Sequence, residues 1–157
     1  LAQEVPSFFL HDQKRLNRLY ELEFELHRRI GELVQSGKWS RDKKDEWIQF
    51  IAPKLEEVFV RYYITDKTGF QTSANVYCVN GEWRVDNTYR GYNWSFRPYF
   101  IQTMAAMDVR GRGYLSGDYR DFSSNEVTRT FSYPLPDGMF LFADISEEYL
   151  YQNRLLD

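Results

Sequence analysis

The chain has 157 residues, enough for one domain that buries roughly two-thirds of its unfolded surface without disulfide staples. Its net charge of −3 comes from interspersed acids and bases with no basic stripe, which argues against nucleic acid as a partner. The single cysteine excludes an internal disulfide, and no apolar run approaches the roughly 18 residues of a membrane span, so this stretch reads as soluble.

In chain order, Asp12 is positioned to cap a helix of about 23 residues, roughly 35 Å long. Its apolar positions Leu16, Leu19, Leu22, Leu26, Ile30 and Leu33 recur at three and four residues, and Gly37 stands where a C-terminal stop is expected. That stripe suits packing on a sheet or pairing with a second subunit, and His27 sits at its boundary beside Arg28 and Arg29. His11 reads as lying before the helix. A second helix begins at Ser40, with Asp42 in its first turn and Trp47, Ile48, Ile51, Leu55 and Val58 as its apolar face; Pro53 kinks or divides it.

From Phe59 the period changes from helical to extended. Short runs rich in Tyr, Phe, Val and Thr reach to Asp144, with turn signals at Asp66 to Gly69, Asn80-Gly81 and Pro136 to Gly138, and a short helix near Pro98 to Met107. Cys78 lies in one such run, Val76 to Val79, and reads as a small buried hydrophobe. The predicted fold is α+β: a long N-terminal helix and a second helix on a central antiparallel sheet of five to six strands. The expected organisation is a single domain, with residues 1–58 helical, 59–146 the sheet and 147–157 a C-terminal helix. The chain starts at Leu1 and stops inside a helix-like run, Glu147 to Tyr151, as a fragment taken from between two other segments would.

The sequence contains no HExxH, GxSxG, P-loop or GxGxxG pattern, and the two histidines, His11 and His27, form no metal pattern. No catalytic residue, metal or cofactor is therefore expected. Aromatics make up 18% of the chain, with 12 Tyr, 12 Phe and 4 Trp, which fits either an aromatic-lined pocket or a ring-rich core.

The informative residues run from Arg90 to Asp144: Arg90-Gly91-Tyr92-Asn93-Trp94-Ser95-Phe96-Arg97-Pro98-Tyr99-Phe100, then Tyr114 to Asp121, then Thr130-Phe131-Ser132-Tyr133-Pro134, and Leu141-Phe142-Ala143-Asp144-Ile145. With the opening run Tyr63 to Gly69, this order and spacing resembles the Cache (PDC, extracytoplasmic PAS-like) sensor domains of bacterial histidine kinases, chemoreceptors and cyclic-di-GMP enzymes. The resemblance covers about Tyr62 to Ile145 and implies a periplasmic, membrane-anchored receptor ectodomain. It implies a dimer through the first helix, with the C-terminal helix leading towards the membrane.

In that family an Arg-x-aromatic-aromatic motif grips a ligand carboxylate, and Arg97, Tyr99 and Phe100 match it. A guanidinium suits that role because it forks onto a carboxylate through two charge-assisted hydrogen bonds. A Tyr-x-Asp and a later Asp hold a ligand ammonium, and Tyr119, Asp121 and Asp144 match those. Tyr119 and Asp121 are two apart, hence on one face of a strand. Trp94 is placed either as a pocket wall or in the core. Arg97 has the alternative of ordering the Pro98 loop, Asp121 of capping a turn, and Asp144 of capping the last helix.

The resemblance thus implies an amino acid, amine or small carboxylate as ligand, with Arg120, Arg129 or Thr130 as a second clamp for a dicarboxylate. Two other classes stay open: a ligand-blind dimerisation or interaction domain, and a small aromatic-pocket α+β enzyme or carrier, for which Asp86 or Asp121 is the available acid.

Overall fold

Helix α1 runs from Ser7 to Leu33, 27 residues or about 40 Å, in a computed structural model that describes residues 7–121 and 124–156. The helix therefore starts before Asp12, which is an interior residue paired with Arg15 at 3.4 Å and not the cap expected from its type. The His11 side chain lies outside the described residues. The apolar stripe is only partly covered: Leu22, Leu26 and Ile30 are buried, whereas Leu16 remains 45% exposed. After α1 the chain winds through a wide turn, Val34–Lys38, and Gly37 ends it in the left-handed region at φ 84°, which a side chain disfavours.

A 3-10 turn at Arg41–Lys43 leads into α2 (Lys44–Ile51), and the backbone tightens to a 3-10 turn at Ala52–Leu55, where Pro53 removes an amide donor. Trp47, Ile48, Ile51, Leu55 and Val58 are all buried, so the periodicity identified the buried face correctly.

The strands are β1 (Phe59–Asp66), β2 (Asn75–Val79), β3 (Glu82–Asp86), β4 (Tyr114–Leu115), β5 (Tyr119–Arg120), β6 (Val127–Thr128), β7 (Thr130–Pro134) and β8 (Met139–Ile145). Six of them form one antiparallel sheet in the order β3-β2-β1-β8-β7-β4, while β5 and β6 make a separate two-stranded ribbon. Helix α3 (Pro98–Arg110) lies between β3 and β4, and α4 (Glu147–Gln152) follows β8. This is the α+β, PAS-like architecture expected from the sequence.

Strand alternation divides the side chains into two layers. On one face Tyr62, Ile64, Val76, Phe131, Leu141 and Ala143 pack with Leu26 and Ile30 of α1 and Ile48 and Ile51 of α2 in the main core. Truncating one such fully buried aliphatic to alanine costs about 2–5 kcal/mol. On the other face Tyr63 and Phe142 meet Phe100 of α3 and Trp94 in a smaller aromatic core. Arg61, next to Tyr62 in the strand, points to that second face with Tyr63. Cys78 is half-buried in β2, which corrects its reading as a buried residue, because it lines an open cleft over this part of the sheet.

Candidate functional site

The second face of the sheet carries two adjoining cavities. The smaller, about 30 Å³, is room for roughly one water molecule. It is walled by Trp94, Arg97, Tyr99, Tyr119 and Asp121, five of the seven expected site residues, together with Arg61, Tyr63, Asn75 and Tyr89. The larger is an open cleft of about 490 Å³. It lies over β1 and β2, between the loop after β3 and the β5–β6 ribbon, and Asp121 and Asp144 line it. Arg61, Asn75, Tyr89 and Asp121 are common to both cavities and form the partition.

The aromatic walls are closely fitted. Tyr63 stacks on Phe142 at 5.2 Å between ring centroids, Tyr99 stacks on Tyr119 at 5.5 Å, and the Tyr63 and Tyr99 hydroxyls are 3.0 Å apart. Burial pushes all three phenols up, Tyr99 to about 12 and Tyr63 and Tyr119 well above the usual value, so they act as neutral hydrogen-bonding groups. Trp94 donates from Nε1 to Gln71 Oε1 at 3.0 Å. Phe100, 4% exposed, stacks on Phe142 in the aromatic core. Arg97 holds the N-cap position of α3 with extended backbone, and its guanidinium lies 5.9 Å from the Phe96 ring centre.

The polar centre is built around a residue that sequence reasoning missed. Arg61 donates from Nε to Asp144 Oδ2 at 2.7 Å and from Nη2 to Asp121 Oδ1 at 2.5 Å, while Nη1 reaches Asp121 Oδ2 at 3.3 Å. Asp144, with Asp121, more than offsets the cost of burial and holds the guanidinium even more firmly protonated than usual. Asp144 Oδ1 also accepts from Thr130 Oγ1 at 2.7 Å, and Thr130 lies 2.5 Å from the Tyr119 hydroxyl. Asp121 additionally accepts from the Ser124 amide at 2.9 Å, so it caps the following turn as well as facing Arg61.

Asp144 does not cap the last helix: Ser146 does, accepting from the Tyr149 amide at 3.0 Å. Arg129, a candidate second clamp, lines neither cavity and donates to Leu155 O at 2.8 Å and Ser116 O at 3.1 Å. Arg120 donates to Asn125 O at 3.0 Å. The signal that could have found Arg61 is its charge inside the otherwise apolar run Phe59 to Ile64, since a charge carried into a central strand needs a partner.

The site is mechanically joined to α1. The far end of α3 carries Arg110, which donates to Glu23 Oε1 at 3.0 Å, and Arg112 adds a contact to the same oxygen at 3.3 Å. Glu23 is only 3% exposed and also accepts from the Leu115 amide at 2.9 Å. One turn further along α1, His27 Nδ1 accepts from the Gly113 amide at 3.0 Å. Burial, reinforced by Arg112 and opposed by Glu23, lowers the imidazole pKa. Among the described residues no group of three or more His, Cys, Asp or Glu is placed to hold a metal ion, and no helix is long and apolar enough to cross a membrane.

The family model for the EAL-domain associated signalling protein domain, YkuI_C, matches residues 1–156. The uncharacterized EAL-domain containing protein YkuI of Bacillus subtilis (strain 168) is 35% identical over 153 residues, 97% of this chain and 38% of that protein. The chain thus spans well under half of the relative it matches. The crystal structure of YkuI, with an EAL domain and in complex with substrate c-di-GMP and calcium, matches with a TM-score of 0.87 at 35% identity over 96% of this chain and 38% of that one.

More distant structures share the fold alone. The extracellular domain of the histidine-kinase-type protein vpHK1S-Z8 has a TM-score of 0.63 at 13% identity, over 98% of this chain and 64% of that one. The ligand-binding domain of the Campylobacter jejuni chemoreceptor Tlp3, in complex with 4-methylisoleucine, has a TM-score of 0.58 at 10% identity, over 88% and 56%. The Cache resemblance therefore holds as a likeness of fold to extracellular sensor domains, while the full-length match is to the EAL-associated domain.

Proposed function

This chain belongs to the EAL-domain associated signalling family, and we propose that it is the small-molecule-sensing module through which a cyclic-di-GMP protein is regulated. It performs no chemistry in this reading; the output lies in the associated EAL domain. Of the three receptor types raised by the Cache resemblance, the family membership favours the cyclic-di-GMP class.

One observation carries the sensing proposal. Asp121, after the β5 ribbon strand, and Asp144, on β8, converge on Arg61 at the partition between a small aromatic cavity and an open cleft. A small ligand that competes for any member of this triad changes how the ribbon, the sheet and the loop before α3 are held together. An amino acid, an amine or a small carboxylate has the charge to do so, with Arg97, Trp94, Tyr99 and Tyr119 at the aromatic side. Because α3 reaches from Arg97 to Arg110, and Arg110 grips Glu23, a shift of α3 is handed to α1. Any such response is bounded by the ligand's differential affinity for the two arrangements.

Thermal melting of the intact protein against amino acids, amines and dicarboxylates tests the proposal, since selective binding raises Tm by mass action. A stabilising compound whose effect disappears in Arg61→Met and Asp121→Asn supports it. Silence across the screen favours a second reading, a ligand-blind interaction domain, for which the roughly one-water volume of the aromatic cavity speaks. Periplasmic placement, membrane anchoring and dimerisation through α1 are further parts of the receptor proposal, decided by fractionation and by subunit mass in solution.

A further inference from the structure

The cleft outside the triad has a chemistry of its own. Its volume of about 490 Å³ falls in the range of small-molecule sites. Its floor is amphiphilic: Val60, Tyr77 and Val79 supply apolar surface. Its charged lining is one-sided, because five carboxylates (Asp86, Asp121, Glu126, Asp144, Glu147) face a single guanidinium, Arg61, in a chain whose whole net charge is −3. Arg61 is already shared between Asp121 and Asp144, so the triad itself keeps a surplus negative charge.

A second observation is independent of the acids. Asn75 is only 8% exposed and lines the cleft. Its Oδ1 accepts from Gln71 Nε2 at 3.3 Å, which leaves the Nδ2 hydrogens as the amide donors that Asn75 brings to the lining of the cleft. An amide donor on a cleft wall selects for an oxygen acceptor on whatever binds there.

We infer that the cleft is a binding site for an organic amine with an apolar body and a neutral hydrogen-bond acceptor. The ammonium faces Asp86 and Glu126 at the rim, the acceptor oxygen takes the Asn75 Nδ2 hydrogen, and the hydrocarbon covers Tyr77 and Val79. Low-dielectric walls lined by one sign of charge focus the field and favour the cation. This inference rests on the sensing reading and narrows its ligand class.

The test is isothermal titration of the intact protein with three compounds of one skeleton, slightly below neutral pH and at fixed ionic strength. They are leucinamide, a cation with a carbonyl; leucine, a zwitterion; and 4-methylpentanoate, an anion. Leucinamide is expected to bind about tenfold or more tighter than leucine, with no heat from the anion. In Asp86→Asn/Glu126→Gln, whose side chains keep their shape, leucinamide is expected to weaken roughly 3- to 10-fold, the range of partly exposed ion pairs. Binding of leucine or of the anion at least as tight as leucinamide, unchanged leucinamide affinity in the double variant, or no binding of any of the three overturns the inference. Leucine binding that depends on Arg97 would leave the sensing proposal standing while removing this one. Leucinamide binding that has no effect on EAL output would do the reverse.

Discussion

Arg61 and Asp144 face each other across the central strand pair of the sheet, with Arg61 Nε donating to Asp144 Oδ2 at 2.7 Å and Arg61 registered opposite Asp144 in the β1–β8 ladder. The pairing is set by backbone register, so the guanidinium cannot leave Asp144 without a change of rotamer or of sheet. Asp121 arrives from a different element, the ribbon, and meets Arg61 through its side chain, whose carboxylate also caps the following turn.

That asymmetry makes a stability prediction. Arg61→Met leaves two carboxylates, 10% and 4% exposed, without their cation and is expected to destabilise the domain by about 2–4 kcal/mol, less than a fully buried pair because Arg61 is itself 24% exposed. Adding Asp121→Asn and Asp144→Asn to the same variant is expected to restore most of the loss, since neutral amides tolerate the site better than unpaired charges. Urea midpoints at constant m-value measure both steps, and a triple variant no more stable than the single one contradicts an electrostatic origin.

The parts of this architecture legible in sequence are the local ones. The 3.6-residue repeat of Leu22, Leu26 and Ile30 and the stop at Gly37 identified the buried face and end of α1, and Asn80-Gly81 identified the β2–β3 hairpin. Its start was misplaced, because a side-chain cap such as Asp12 is a preference of residue type that a longer helix overrides. Of the expected site, Trp94, Arg97, Tyr99, Tyr119 and Asp121 come to one cavity, while Phe100 packs in the aromatic core and Asp144 lines the cleft. Arg61 escaped notice because its partners lie 60 and 83 residues away, and only strand order brings them together. Composition fitted either a ring-lined pocket or a ring-rich core, and the structure contains both, back to back.

Gly69 is expected to be intolerant of alanine. Its φ is 97°, and a Cβ there would lie 2.8 Å from the Ser95 amide nitrogen and 2.9 Å from Asn93 Oδ1, atoms fixed by the turn that seats Trp94. The Trp94 amide donates to Gly69 O at 2.9 Å, so the strain falls directly on the wall of the aromatic cavity. Gly69→Ala should cost about 2–3 kcal/mol in denaturant unfolding and alter the near-ultraviolet circular dichroism of the tryptophans. A variant with wild-type stability and spectrum rules out the fixed turn.

His27 makes stability depend on pH in a defined direction. Its neutral imidazole accepts from the Gly113 amide, and burial and Arg112 lower its pKa in the folded state below the ordinary 6.5. The unfolded chain therefore binds more protons at this residue, so stability rises with pH through that window. The contribution is fully present above 6.5 and is lost as the pH falls through the folded value. His27→Gln, which keeps a side-chain acceptor, is expected to flatten the wild-type slope below 6.5 when the two are compared by thermal melting. Parallel slopes for both proteins remove His27 as the cause.

The last prediction concerns transmission from site to helix. Glu23 is a buried carboxylate on α1 that accepts from Arg110, Arg112 and the Leu115 amide, so it fastens the C-terminal end of α3 and the start of β4 to the long helix. Glu23→Gln keeps volume and the amide contact but removes the charge from both guanidinium bonds, and charge-assisted bonds are roughly twice as strong as neutral ones. The aromatic cavity and the cleft are formed by other residues, so the affinity of a stabilising compound should change less than about threefold, small on the scale where tenfold is 1.4 kcal/mol. Its influence on α1 should fall, read as reduced ligand-dependent protection of the α1 amides in hydrogen exchange and reduced ligand control of EAL output. Equal loss of affinity and of α1 protection would mean that Glu23 shapes the site itself, and unchanged protection would mean that the signal reaches α1 by another contact.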